Sequence, residues 1–324
     1  MSMNTTPPLL RVQQLSKSYP LPGNKSFRAL NAVSFELRER RTLGIVGESG
    51  CGKSTLGRTL MRLVDASGGK VEFAGVDWIS PTARPGREQR RLMQIVFQDP
   101  YSSLNPKHAV GDIVREPLDI NSPGKSRAER MRLVHELLGT VGLSPADADK
   151  FPHEFSGGQR QRIAIARALA LEPRLLVADE PVSALDVSIQ SQILNLLMEL
   201  RRQRNMAMIF ISHDLSVIRH ISDDVAVMYF GAIVEMAPAQ QLFAQPAHPY
   251  TRLLLSAIPR RHRVGIAFED ATSNEVAAAE LPDPANPPAG CAFAKRCPHA
   301  MPRCTTEVPA LRSHQQGTVA CFLY

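Results

Sequence analysis

The stretch TLGIVGESGCGKST, residues 42–55, constrains the fold more than any other part of this chain. A short apolar run with strand character leads into Gly47, Gly50 and Gly52. Lys53, Ser54 and Thr55 then open a helical run that carries Leu56, Leu60, Leu63 and Val64 on one face. Glycines at this spacing let the backbone fold back so that its N–H groups point inward, with Ser49 and Cys51 filling the remaining loop positions. The positive end of the following helix faces the same space. Such a cradle suits phosphate oxygens: Lys53 reaches the outer phosphates of a nucleoside triphosphate, and Ser54 offers its hydroxyl to Mg²⁺. A P-loop α/β core is therefore expected.

A second element belongs with the first. LLVADE, residues 175–180, is a buried-strand pattern that ends in two carboxylates. Beside a P-loop, Asp179 suits a water-mediated Mg²⁺ contact and Glu180 suits the general base that polarises an attacking water. MAMIFIS, from Met206, is another buried-strand run. Alternating residues in LLRVQQL and VSFELRE, with GKVEFAG from Gly69, predict an antiparallel β region, and the spacing of Met131, Val134, Leu137, Leu138 and Val141 predicts a helix.

Composition excludes several classes. With 44% apolar and 21% charged residues, the 324-residue chain is ordinary for a globular protein. The formal charge of +7 suits nucleic acid, an anionic membrane or nucleotide phosphates, yet no nucleic-acid-binding motif accompanies it. The start, MSMNTTPPLLRV, lacks the basic and apolar regions of a secretion signal, so none is expected. VAVMYFGAIV, from Val225, is an uncharged run far short of the roughly 18 apolar residues of a membrane span. Work at a membrane would need docking on other subunits.

FSGGQRQR, residues 155–162, runs into the helical IAIARALA. This stretch resembles the signature of ABC ATPases, normally LSGGQ, with Phe155 in place of the leucine. Ser156, Gly157, Gly158 and Gln159 would present donors at a helix start to a γ-phosphate. The resemblance implies that this phosphate belongs to an opposite subunit, in a head-to-tail dimer that sandwiches two ATP molecules. It further implies that Gln98 in VFQDP is a Mg²⁺ or water ligand sensing the γ-phosphate and that SALD, residues 183–186, crosses the dimer seam. His213 in FISHD would contact the γ-phosphate, and Tyr19 in LSKSYP would stack on adenine, although a strand tyrosine is commonly a core residue. The fold implied over residues 9–260 is the ABC cassette: a P-loop α/β core, an antiparallel β subdomain and a helical subdomain inserted at about 99–165.

VFQDPYSSLNPKHAVGDIVREPL from Val96, HPYT at residues 248–251, and LPDPANPPAGCAFAKRCP from Leu281 resemble the ATPases of dipeptide, oligopeptide and nickel importers. The tail is most similar to the second, F-type ATPase of peptide importers. The partners this implies are a second ABC ATPase, two transmembrane permeases and a substrate-binding protein outside the membrane, with this subunit peripheral on the cytoplasmic face of a bacterial inner membrane. Import of nickel or another small solute, or a non-transport ABC ATPase acting on DNA or ribosomes, are the alternatives. A single cassette without heptads and with this tail speaks against the latter.

The tail, residues 261–324, is Pro-rich and reads as an irregular extension. Cys291, Cys297, Cys304 and Cys321 lie there with the spacing C-x5-C-x6-C-x16-C. Four thiolates suit zinc or an iron–sulfur cluster equally by ligand type. Disulfides are disfavoured in a reducing compartment. The matching extension of the importer ATPases implies one [4Fe–4S] cluster. Nothing in the sequence ties this tail to the phosphate site, so a structural or regulatory role is expected.

Overall fold

The computed structural model describes residues 7–23, 25–80, 85–122, 124–257 and 282–324. The expected boundary near residue 261 and Leu281, the first residue of the LPDPANPPAGCAFAKRCP stretch, lie outside the described residues. The chain forms two compact units, one of residues 1–81 with 211–324 and one of residues 82–210.

The first unit opens with strands β1 (Leu10–Leu21) and β2 (Lys25–Leu37), which pair antiparallel. After β3 (Thr42–Val46) and helix α1 (Lys53–Leu60), strands β4 (Gly68–Phe73) and β5 (Val76–Asp77) complete a four-stranded sheet in the order β2-β1-β4-β5. Its alternation follows from one buried face: Leu10, Val12, Leu15, Leu30, Val33, Val71 and Phe73 are almost fully buried. Trp78 closes this layer, its ring edge-on to Phe73 and its indole N–H donating to the Leu60 carbonyl at 2.7 Å.

The second unit holds α2 (Arg87–Arg91), β6 (Met93–Val96), α3 (Pro100–Ser103), α4 (Val110–Asn121), α5 (Arg127–Thr140), α6 (Gly157–Leu169), β7 (Leu175–Asp179), α7 (Val187–Gln203) and most of β8 (Ala207–Ser212). Its strands lie in the order β8-β7-β6, with β6 and β7 parallel. Every residue of β7 and β8 is buried, so these runs are apolar throughout rather than alternating. Helix α5 starts where Ser126 and Glu129 form a capping box, which fixes the helix predicted from the spacing of its apolar residues.

The chain then returns to the first unit through α8 (Leu215–Ile221), the hairpin β9 (Asp224–Tyr229) and β10 (Ala232–Pro238), α9 (Ala239–Ala244) and α10 (Pro249–Ser256). Strand β3 pairs parallel to β9 from Leu43 to Val46. The end of the chain is less irregular than its proline content implies. Strands β11 (Arg312–His314) and β12 (Gly317–Val319) form a hairpin, and β12 adds to β10, with the Ala320 N–H donating to the Val234 carbonyl at 2.8 Å. The hairpin occupies the long gap between Cys304 and Cys321. Strands of three residues are too short to leave a periodic signal in sequence.

Candidate functional site

In the first unit the loop of residues 47–52 joins β3 to α1. Gly52 adopts a left-handed φ of 104°, and a Cβ there would strike the Ala29 carbonyl. A Cβ on Gly47 would strike the Met228 carbonyl. Glycine is thus demanded by the surrounding backbone as well as by the loop itself. The ammonium of Lys53, 4% exposed, donates to the carbonyls of Gly47 at 2.8 Å and Glu48 at 3.0 Å, which holds it inside the loop. Ser49 and Gly50 are exposed at the tip, while Cys51 is buried and burial pushes its thiol up. Ser54 and Thr55 lie half-buried in the first turn of α1. Tyr19 is half-buried on β1, its ring stacked on Phe27 at 6.3 Å with the Lys17 ammonium 4.8 Å from its centroid. It is a surface platform rather than a core tyrosine. His213 is exposed between β8 and α8, where Asp214 caps the helix by accepting from the Ser216 N–H at 2.7 Å.

In the second unit the structure brings three predicted residues together. Asp179 is buried at the end of β7, and Glu180 follows with φ 47°, a left-handed conformation that is uncommon away from glycine. Gln98 donates to the Glu180 carboxylate at 3.2 Å and lies 3.5 Å from the Ser183 hydroxyl. Ser183 also donates to the Glu180 carbonyl at 3.1 Å, so this turn is pinned from both sides. Asp99, next to Gln98, caps α3 by accepting from the Tyr101 N–H, which holds its carboxyl below the ordinary range.

The signature stretch begins α6. Ser156 accepts from the Gln159 N–H at 3.4 Å, and the Gln159 side chain accepts from the Ser156 N–H at 2.9 Å. Ser156 and Gln159 therefore form a capping box, with Ser156, Gly157 and Gln159 exposed at the positive end of a 13-residue helix. Phe155 is 5% exposed, so it fills the place of the usual leucine as an apolar anchor. Elsewhere in this unit lies a groove of about 510 Å³ bordered by Arg90, Arg91, Phe97, Pro117, Ile120 and Arg167. Arg167 donates to the Ser103 carbonyl at 2.6 Å, and burial pulls its pKa down. Phe97 borders this groove, while residues 98–105 are not among its lining residues.

The four tail cysteines line one small space of about 20 Å³, together with His248, Phe293 and Phe322. All four are free thiols. Burial pushes Cys291 and Cys321 up and Cys297 up to about 11. Backbone N–H groups point at every sulfur: Phe293 and Ala294 at Cys291, His299 at Cys297, Met301 at Cys304 (3.4 Å) and Leu323 at Cys321. Among the described residues, no set of three or more His, Cys, Asp or Glu is drawn together as a ready-made site for a metal ion.

Sequence reasoning missed what surrounds the phosphate loop. Tyr250, fully buried, accepts the Glu48 N–H at 2.9 Å through its hydroxyl. Arg296 clasps the Glu48 carboxylate with both Nη atoms, at 2.8 and 2.9 Å. His248 accepts the Tyr250 N–H at its Nδ1 (3.0 Å) and bonds the backbone of Ala320. Burial pushes it down to about 4, so it is neutral. The HPYT motif was the only available signal, and it did not reveal what the motif holds.

Residues 30–183 match the ABC transporter family, and residues 234–304 match the family described as oligopeptide/dipeptide transporter, C-terminal region. The chain is 50% identical to the di/tripeptide transport ATP-binding protein DppF of Pseudomonas aeruginosa, over 97% of each chain. It is 46% identical to the putative oligopeptide transport ATP-binding protein YkfD of Bacillus subtilis, over 98% of this chain and 96% of that one. Among solved structures it resembles the dimeric, post-hydrolysis ATP-binding cassette MJ0796 bound to ADP and Pi (TM-score 0.65, 28% identity, 71% of this chain and 98% of that one). It also resembles cbiO1 of Clostridium perfringens, part of the transporter complex cbiONQ (TM-score 0.64, 27% identity, 79% and 98%). The α/β architecture described above is that of the ABC ATPase cassette. No helix among the described residues is long and apolar enough to cross a membrane. With near-full-length relatives on both counts, this chain belongs to the ABC transporter family of ATP-hydrolysing subunits, in the branch that carries the oligopeptide/dipeptide transporter C-terminal region.

Proposed function

We propose that this chain powers the import of dipeptides and oligopeptides by binding and hydrolysing Mg·ATP, docked peripherally on the cytoplasmic face of the membrane. The observation that carries the reading is the match to the oligopeptide/dipeptide transporter C-terminal region, on a cassette whose Gln98, Glu180 and Ser183 converge. Lys53 and the loop N–H groups hold the phosphates, Ser54, Gln98 and Asp179 serve Mg²⁺, Glu180 is the general base, His213 contacts the γ-phosphate and Tyr19 supports adenine. The exposed start of α6 fits the phosphate of a facing subunit, and the dimeric state of the MJ0796 cassette supports that arrangement. The facing subunit in this reading is a second, related ATPase. Uptake of a labelled dipeptide by cells lacking and then regaining the gene tests the assignment; uptake that is independent of it would overturn it.

The groove beside Phe97 and Ile120 suits a short helix of a permease, with apolar residues at its base and Arg90, Arg91 and Arg167 at its rim for helix-end carboxyl or carbonyl groups. Ile120, 54% exposed, is the residue to probe. An Ile120→Cys subunit is expected to crosslink to a permease loop cysteine in the assembled transporter. Absence of crosslinks from any position around the groove would remove this docking site.

The tail fits a metal centre by its donor chemistry. Four cysteines line one cavity, each with a backbone N–H directed at its sulfur, which favours thiolate over thiol once a cation is present. The Cys291 N–H also donates to the Cys304 carbonyl at 2.8 Å, so two of the four are tied by backbone. A single zinc would draw all four sulfurs to about 2.3 Å. A [4Fe–4S] cluster would take one thiolate from each cysteine and would crosslink a segment whose strands are only three residues long. Cys291, Cys297, Cys304 and Cys321 would hold it. Protein purified without oxygen is expected to contain about four irons and four sulfides per chain. Stoichiometric zinc without iron would replace the cluster by a zinc site, and no metal at all would remove both.

A further inference from the structure

The sequence shows no tie between the tail and the phosphate loop; in the fold Glu48 supplies one. This residue is second in the phosphate loop, and three of its groups are engaged. Its N–H donates to the Tyr250 hydroxyl at 2.9 Å, its carbonyl accepts from Lys53 at 3.0 Å, and its carboxylate is clasped by Arg296. Arg296 lies 248 residues away in sequence, in the single turn Ala294–Arg296 between Cys291 and Cys297. Its side chain is 4% exposed against 28% for Glu48. Around it Tyr229, Tyr250 and Phe293 pack with ring centroids 4.5 to 5.5 Å apart, and the guanidinium sits 5.7 Å from the Phe293 ring and 5.9 Å from that of Tyr229.

A carboxylate within a loop that receives a triphosphate is an electrostatic liability. In a partly desolvated site it repels the incoming phosphates, and the repulsion is not screened as it would be in water. Pairing with a buried guanidinium cancels its charge and fixes its direction, and the planar fork of arginine does both. The arginine itself has little secondary structure to hold it. Its position depends on the aromatic cluster below and on the cysteine-bearing turns on either side.

We propose that Arg296 is a positioning residue for ATP binding: it neutralises and holds Glu48, and thereby makes nucleotide affinity depend on the order of the four-cysteine segment. This rests on the reading of residues 47–55 as the ATP phosphate loop. Whatever orders the tail, a metal centre included, then sets how well the loop accepts a triphosphate. Loss of that order releases Arg296 and leaves the Glu48 charge beside the phosphates.

The test is equilibrium binding of a fluorescent ATP analogue with Mg²⁺ to the full-length subunit, arranged as a double-mutant cycle. Arg296→Met is expected to weaken binding about tenfold when residue 48 is glutamate, the scale of one charge-assisted contact. In the Glu48→Gln background the same change is expected to cost less than about threefold, because no carboxylate is left exposed. Equal losses in both backgrounds would show that Arg296 acts through general folding and would overturn the proposal, as would no loss in either. A second variant, Cys291→Ser with Cys297→Ser, tests the coupling without touching the ion pair. Its affinity is expected to fall about tenfold and to recover in the Glu48→Gln background, whereas parental affinity would break the link to the tail. Parent protein that binds no nucleotide, or Lys53→Met that binds as well as the parent, would instead refute the phosphate-loop reading itself.

Discussion

Glu180→Gln is expected to keep ATP bound while slowing hydrolysis by about 10²- to 10⁴-fold, the range supplied by a positioned general base. The substitution preserves shape, so the contact with Gln98 and the turn pinned by Ser183 persist. What it removes is the negative charge that, in the proposed role, draws a proton from water. The backbone at Glu180, with φ 47°, turns the chain immediately after the buried Asp179, so these two adjacent carboxylates serve different partners. Phosphate release by the assembled transporter, measured beside retention of labelled nucleotide, checks both halves of the expectation. Turnover at the parental rate would remove Glu180 from the mechanism.

Ser156→Asp is expected to cost the assembled transporter about 100-fold in ATP turnover, comparable to losing one preorganised donor to a charged transition state. Aspartate caps helices as well as serine does, so the capping box with Gln159 and the start of α6 are retained. The added negative charge is what matters. A helix start that is proposed to face a phosphate would then carry an anion of its own. An unshifted melting temperature alongside the lost turnover would separate charge from folding, and a transporter that turns over normally would show that this helix start faces no phosphate.

Much of the proposed nucleotide site was legible because it is built from backbone. A loop that must approach Met228 and Ala29 without a Cβ requires glycine at positions 47 and 52, and such demands survive as a pattern in the chain. Buried parallel strands leave equally plain runs, as in LLVAD. Side-chain partnerships across long separations leave none. Arg296 reads as a solvated charge in a proline-rich tail, and Glu48 as a variable loop residue, until the fold joins them. The short hairpin of β11 and β12 escaped for a related reason, since three-residue strands borrow their stability from the edge of β10 rather than from their own alternation. Tyr19 could not be settled either way from its strand, because burial depends on which face the β subdomain covers.

The first unit is assembled from two widely separated stretches of chain. Its phosphate loop is translated early, yet Tyr250 and Arg296, which grip it, are made 202 and 248 residues after Glu48. At ordinary rates of synthesis that interval is roughly 10 to 50 seconds. Through most of it the ribosome carries a loop that already contains Gly47, Gly50 and Gly52 but lacks one or both of its two anchors. If Arg296 sets nucleotide affinity as proposed, nucleotide competence is a late event in the life of each new chain, timed by the arrival of the tail.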